Sequence, residues 1–147
     1  MILLYTCSRL VPVKNTLPKV VAIQEHLQLV ASEASRSGSC GGIAEGAVLA
    51  RGSELIASSG NRTLELDDPI ATAEMECIRK AGRRNDQADM TLYTSRCPDL
   101  LVAGTILQFS IGSVVVVGER SDSSAVALLE QKGVPVTFTD DQPGDGA

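Results

Sequence analysis

The fold is decided between residues 90 and 109, which read MTLYTSRCPDLLVAGTILQF. The β-branched and aromatic residues at the start of this stretch predict a strand over residues 90–94. Pro98 suits the first position of a helix, which we expect to reach about Phe109. A strand that leads directly into a helix is the unit from which parallel α/β sheets are built.

The same alternation continues to the end of the chain. Strands are predicted at 113–117 and 134–139, with a helix at 123–132 between them. Before the opening stretch, the pattern predicts a helix from Pro18, a β-hairpin at 47–50 and 54–58, and a helix at 72–81. The expected fold is an α/β three-layer α-β-α sandwich with a five-stranded mixed sheet. In the first helix, the residues expected to share a buried face are Ile23, Leu27, Val30 and Ala34.

Length and composition indicate one compact domain. The chain has 147 residues, of which 44% are hydrophobic and 21% charged. We assign residues 1–16 to an N-terminal extension, 17–139 to the domain and 140–147 to a disordered tail. The net charge of −5 argues against a nucleic-acid partner, and no apolar run is long enough to span a membrane.

Cysteine usage predicts a cytoplasmic protein. The four cysteines, at positions 7, 40, 77 and 97, form no C-x-x-C pair. Reduced thiols are therefore the better interpretation. Core packing is expected for Cys77. Cys40 is expected to have a structural role, and the alternative is that it approaches the rim of the pocket. The single histidine, His26, is expected to be a surface or packing residue.

Two short segments carry a resemblance to a known family. Thr72-Ala73-Glu74 opens the second helix, and residues 97–102 follow the strand quoted above. In spacing they match the H-x-E and P-C-x-x-C halves of a nucleobase deaminase signature. Further matches are Gly60-Asn61-Arg62, Asp68-Pro69, Leu92-Tyr93-Thr94-Ser95 and Ala103-Gly104-Thr105-Ile106. About residues 18–139 resemble the cytidine deaminase-like superfamily, nearest to fungal-type cytosine deaminase, guanine deaminase and tRNA adenosine deaminase.

The resemblance implies roles for particular residues. Asn61 would contact the substrate base, and Glu74 would move protons between water and the ring. The family holds zinc with one His and two Cys, but those positions carry Thr72, Asp99 and Val102. This donor set is poor for tetrahedral zinc, so we expect no cofactor and no metal ligands. Thr72 is expected either to cap its helix or to contact the substrate.

Cys97 is the candidate nucleophile. It lies close to the predicted start of the third helix, where the helix dipole lowers the pKa of a thiol. Glu74 would then act as acid and base, and Asp99 as a second base or a substrate anchor. The alternatives are that Cys97 is a small buried hydrophobic residue, that Asp99 caps a helix, and that Glu74 is a first-turn acid favoured by the dipole.

Three functions remain open at this point. The first is a deaminase-fold hydrolase that acts, without zinc, on a C–N bond of a small nitrogen heterocycle, amide or amidine. The second is an inactive homologue that serves as a small-molecule-binding or structural subunit. The third is residual metal use through Glu74, Asp99 and Cys97. The expected partners are a free small molecule and, because relatives commonly dimerise, a second copy of the chain.

Overall fold

The computed structural model describes residues 17–140. The predicted extension 1–16 and residues 141–147 of the predicted tail lie outside the described residues. The elements, in chain order, are α1 Leu17–Ser39, β1 Gly46–Arg51, β2 Glu54–Gly60, α2 Ala73–Ala81, a 3-10 turn Gln87–Asp89, β3 Thr91–Thr94, α3 Leu100–Gln108, β4 Ser113–Val116, α4 Ser124–Gln131 and β5 Val136–Phe138.

The five strands form one mixed sheet in the order β2-β1-β3-β4-β5. β1 is antiparallel to both β2 and β3, whereas the β3–β4 and β4–β5 pairs are parallel. The predicted α/β three-layer sandwich with a mixed sheet is confirmed. No described helix combines the length and apolar character needed to cross a membrane.

Strand residues alternate between the two faces of the sheet. On one face, Leu92 and Val114 join a large core that α2, α3 and α4 cover with side chains such as Ile106 and Leu129. On the other face, Tyr93 and its neighbours on β1 contact α1. The two faces hold separate hydrophobic clusters, which is the packing expected of a sheet covered on both sides.

Helix α1 lies very close to the first strand. A Cβ atom at Gly46 would come within 2.2 Å of the carbonyl oxygen of Val30, so only glycine permits this approach. The buried side of α1 includes Ala22 and His26, whereas Ile23 is exposed, so the prediction that Ile23 faces the core is wrong. His26 replaces it because its Nε2 atom lies 2.9 Å from the carbonyl oxygen of Gly52 and its ring contacts Tyr93.

Candidate active site

One edge of the sheet brings together the residues predicted to be functional. Strands β2 and β3 end at this edge and β1 begins there, because β1 runs antiparallel to both neighbours. Asn61 directly follows β2, Glu45 directly precedes β1, and the 95–99 loop follows β3. In α/β sheets, such edges beyond the carboxyl ends of strands are where ligands usually bind.

Glu74 lies in the first turn of α2 and is almost completely buried, with 2% of its surface exposed. Its Oε1 atom accepts a hydrogen bond of 2.7 Å from the hydroxyl of Thr94, the last residue of β3. Burial raises the pKa of the Glu74 carboxyl, and nearby Glu45 adds to the rise. The Thr94 hydrogen bond and Arg96 act in the opposite direction but do not cancel it. A carboxyl group with a raised pKa is suited to transferring protons near neutral pH.

Asn61 is also buried, and its amide is engaged on both sides. Its Nδ2 atom donates to Glu45 Oε2 at 2.8 Å. Its Oδ1 atom accepts from the backbone N–H and the hydroxyl of Thr63, at 2.9 and 2.7 Å. The side chain that the family resemblance assigned to base contact is therefore held in one orientation.

Arg96 and Glu45 are site residues that the sequence argument missed. Arg96 Nη1 donates to Glu45 Oε1 at 2.8 Å, and Nη2 lies 3.4 Å from Asp99 Oδ2. The pairing of Ala47 with Thr94 in the β1–β3 ladder, extended by two residues, places Glu45 opposite Arg96. The sequence signal for this pair was its opposite charges, since Glu45 precedes β1 and Arg96 follows β3. Using that signal required knowing that these two strands pair.

Thr72 and Asp99 serve as the N-caps of the two helices that begin at this edge. The Asp99 carboxylate accepts the backbone N–H of Val102 at 2.9 Å. The Thr72 hydroxyl accepts the N–H of Met75 at 3.4 Å, a weaker contact. Helix α3 begins at Leu100, two residues later than the predicted start at Pro98, because Asp99 provides the cap. The substrate contact predicted for Thr72 and the catalytic role of Asp99 stay predictions.

The residues at the family's three ligand positions do not fit a zinc ion. Thr72 and Asp99 direct their oxygens to backbone N–H groups, and the buried Val102 has no donor atom. Across residues 17–140, no group of three or more His, Cys, Asp or Glu side chains could hold a metal. The suggested set of Glu74, Asp99 and Cys97 is not such a group either.

The thiol of Cys97 points toward α4. Its Sγ atom lies 3.5 Å from the hydroxyl of Ser123, the N-cap of α4. The side chain is partly buried and packs against the large core. Since Asp99 is the cap of α3, Cys97 lies two residues ahead of that cap and not at it. Its role as nucleophile stays a prediction.

The other described cysteines have the structural positions expected of them. Cys77 is fully buried, its thiol lies 3.3 Å from the carbonyl oxygen of Ala57, and burial raises its pKa to about 12. Cys40 is exposed and lines a cavity of about 290 Å³ between the end of α1 and the loop after β2. Asn61 lines the same cavity, which Glu74 and Cys97 do not line.

Sequence comparison places these features in a known family. Residues 21–118 match the model of the cytidine and deoxycytidylate deaminase zinc-binding region. This match covers more than half of the chain, so the protein belongs to the cytidine and deoxycytidylate deaminase family. The predicted resemblance is therefore confirmed. The prediction of no cofactor, with zinc judged unlikely, is contradicted by this match, because the matched region is a zinc-binding one. Thr72, Asp99 and Val102, at the three ligand positions described above, depart from the zinc donors of this family.

Individual relatives agree with the family match. A chloroplastic tRNA(adenine(34)) deaminase of Arabidopsis thaliana is 40% identical over 86 residues, which are 56% of this chain and 7% of that protein. The cytosine deaminase of Candida albicans is 29% identical over 119 residues, 79% of each chain. A solved structure from work on tRNA:A34 deaminases superposes with a TM-score of 0.68 at 26% identity, covering 79% of this chain and 98% of that one.

Proposed function

We propose that this protein is a hydrolase that removes an amino group from a small nitrogen heterocycle of the nucleobase type, with Glu74 as the proton-transferring group. The observation that carries the proposal is the buried Glu74 carboxyl, with its raised pKa and its hydrogen bond to Thr94, at the same edge of the sheet as the fixed amide of Asn61. Family membership supports the reaction class.

Glu74 would act twice in such a reaction. In its neutral form it donates its proton to a ring nitrogen while a nucleophile adds to the neighbouring amino-bearing carbon. The resulting carboxylate recovers a proton from the nucleophile and passes it to the amino group, which leaves as ammonia. Burial raises the pKa of Glu74, so its neutral form is more accessible than that of an exposed carboxyl group. Thr94 orients the carboxyl throughout, because its hydroxyl donates to Oε1.

Cys97 is the nucleophile in this proposal. Its thiol would add to the ring carbon and give its proton to the Glu74 carboxylate, ammonia would leave with that proton, and water would then displace the thiol and leave a carbonyl group on the ring. The support for this role is its position on the loop between Thr94 and Asp99, which also carries Arg96. The thiol rests against Ser123, so attack requires its side chain to rotate from that contact.

A substrate panel tests the proposal directly. The purified protein is incubated with cytosine, guanine, adenine and their nucleosides, and released ammonia is measured together with the deaminated product. We expect turnover of at least one free base and its loss in Glu74→Gln, which keeps the acceptor for Thr94 but cannot carry the proton. Turnover that survives this substitution would overturn the role of Glu74.

The alternative, an inactive homologue, predicts a different result for the same compounds. An inactive homologue would bind one of the bases by calorimetry and release no ammonia from any of them. That outcome would overturn the hydrolase proposal. The predicted homodimer and cytoplasmic location remain proposals, and light scattering of the purified chain measures the first of them.

A further inference from the structure

We propose that Glu45 and Arg96 are positioning residues that lock the amide of Asn61, so that it offers the substrate one N–H donor and no acceptor. The protein would then select a heterocycle that carries an acceptor, such as a ring carbonyl, at the position facing Asn61. This inference rests on the proposed function and deepens it by naming the property that the substrate must have.

The hydrogen bonds around Asn61 permit only one orientation of its amide. Oδ1 already accepts two hydrogen bonds from Thr63, which uses both of its lone pairs. Nδ2 uses one of its two protons on Glu45. Turning the amide over would place the NH2 group against the backbone N–H of Thr63 and the oxygen against a carboxylate. Both new contacts would be repulsive, so a single N–H remains for a ligand.

Arg96 fixes the Glu45 carboxylate, which in turn sets the orientation of the Asn61 amide. It donates to Glu45 Oε1, while Asn61 donates to Oε2, so the two oxygens of Glu45 have separate partners. The other arm of the Arg96 guanidinium reaches Asp99, which caps α3. The orientation of Asn61 is thus tied through two charged contacts to the start of a helix. Charge-assisted hydrogen bonds of this kind are stronger than neutral ones.

The backbone of Asn61 is held equally firmly, so its side chain cannot escape the clamp by a local shift. Its N–H donates to the carbonyl oxygen of Glu45 at 2.9 Å, and its carbonyl oxygen accepts from the Ser37 hydroxyl at 2.8 Å. Asn61 is 6% exposed, and its Oδ1 atom and one of its two N–H groups are already bonded, so the second N–H is the polar contact that its amide can offer.

The test compares ligands that differ in one acceptor. Cytosine and 4-aminopyrimidine form one pair, and guanine and 2-aminopurine form another, since each second member lacks the carbonyl oxygen. Calorimetry gives the ratio of dissociation constants within each pair. For at least one pair we expect the wild-type protein to prefer the carbonyl-bearing member by about tenfold or more. No preference in either pair would overturn the inference.

Substitutions then assign the preference to the clamp. Glu45→Gln has only one acceptor oxygen and cannot serve both Asn61 and Arg96, so the ratio should fall to within about threefold of unity. Arg96→Met should lower it as well, and Arg96→Lys should restore part of it. The matched control is Asp86→Asn, because Asp86 also accepts from two arginines, Arg51 and Arg84, but outside the site. An unchanged ratio in Glu45→Gln would overturn the inference.

A second measurement needs no ligand and separates this inference from the proposed function. In 15N-labelled protein, the two side-chain amide protons of Asn61 are assigned by their loss in Asn61→Ser. We expect the proton bonded to Glu45 to exchange with solvent about tenfold more slowly than its partner. The difference should vanish in Glu45→Gln and persist in Asp86→Asn. If the clamp is present but no compound of the substrate panel is turned over, the proposed function fails; if a base is turned over but the amide is free, the clamp fails.

Discussion

The candidate site has two halves, which differ in what their side chains do. At the helix starts, Thr72 and Asp99 satisfy backbone N–H groups and Val102 is part of the core. In the other half, Glu74 in the first turn of α2 and Asn61 after β2 are buried polar groups with dedicated partners. The capping contacts of the first half are of the kind found at the starts of many helices. The second half keeps polar side chains inside the protein, which costs free energy unless each has a hydrogen-bond partner. This buried polar half carries the proposed chemistry, whereas the capping half contributes stability.

The largest expected effect is that of substituting Cys97, which lies on the 95–99 loop and belongs to neither half. If Cys97 is the nucleophile, Cys97→Ala should lower kcat by about 10⁴-fold or more, because no other group takes over the covalent step. Its thermal stability should change little, since the side chain is only partly buried. The kinetics are measured on the best substrate from the panel. Turnover within tenfold of wild type would show that Cys97 only packs against α4.

Next in size is the effect of Glu74→Gln on turnover. Removing a general acid and base typically costs about 10²–10⁴-fold in rate, and we expect a loss in this range in kcat with KM changed less. The control is Glu76→Gln. Glu76 lies on the same helix and is equally buried, but it pairs with Arg62 and Arg79 and not with Thr94. Equal losses in the two variants would indicate a folding defect instead.

The capping half should respond in stability and not in chemistry. Asp99→Ala removes a cap with a 2.9 Å hydrogen bond and should lower the free energy of unfolding by about 1 kcal/mol. Thr72→Ala removes a 3.4 Å contact and should cost less, about 0.5 kcal/mol. Denaturant unfolding measures both. The opposite order of the two losses would contradict the assignment of Asp99 as the stronger cap.

The smallest effect is a pH dependence of stability that belongs to the buried polar half and comes from Glu74. Burial raises the pKa of Glu74 in the folded protein above its value in the unfolded chain. The folded state therefore binds the proton more tightly, and this contribution is lost as the pH rises through the folded pKa. Glu74→Gln should melt at a higher temperature than wild type at pH 8, and the gap should narrow toward pH 4. A gap that widens on acidification would refute the raised pKa.

The sequence predicted the architecture because local signals agree with it along the whole chain. The β-branched strands, the proline and the helix periodicity between residues 90 and 109 each point to the same α/β unit. The mistakes are local ones. Ile23 was placed in the core because its spacing fits a helix, whereas Ala22 and His26 are the buried residues, and His26 contacts Gly52 and Tyr93. Pro98 marked the start of α3 too early, because the cap at Asp99 follows it.

By itself, the sequence determined the family, the fold and the identity of Glu74 and Asn61, since short-range spacing carries all of these. Only the tertiary structure decided that Glu45 and Arg96 belong to the site. They are 51 residues apart and meet because β1 and β3 pair antiparallel in one particular register. The sequence does not state directly which strands pair, because the pairing and its register depend on how the two faces of the sheet are buried. The orientation of Asn61, and with it the proposed choice of substrate, follows from that register.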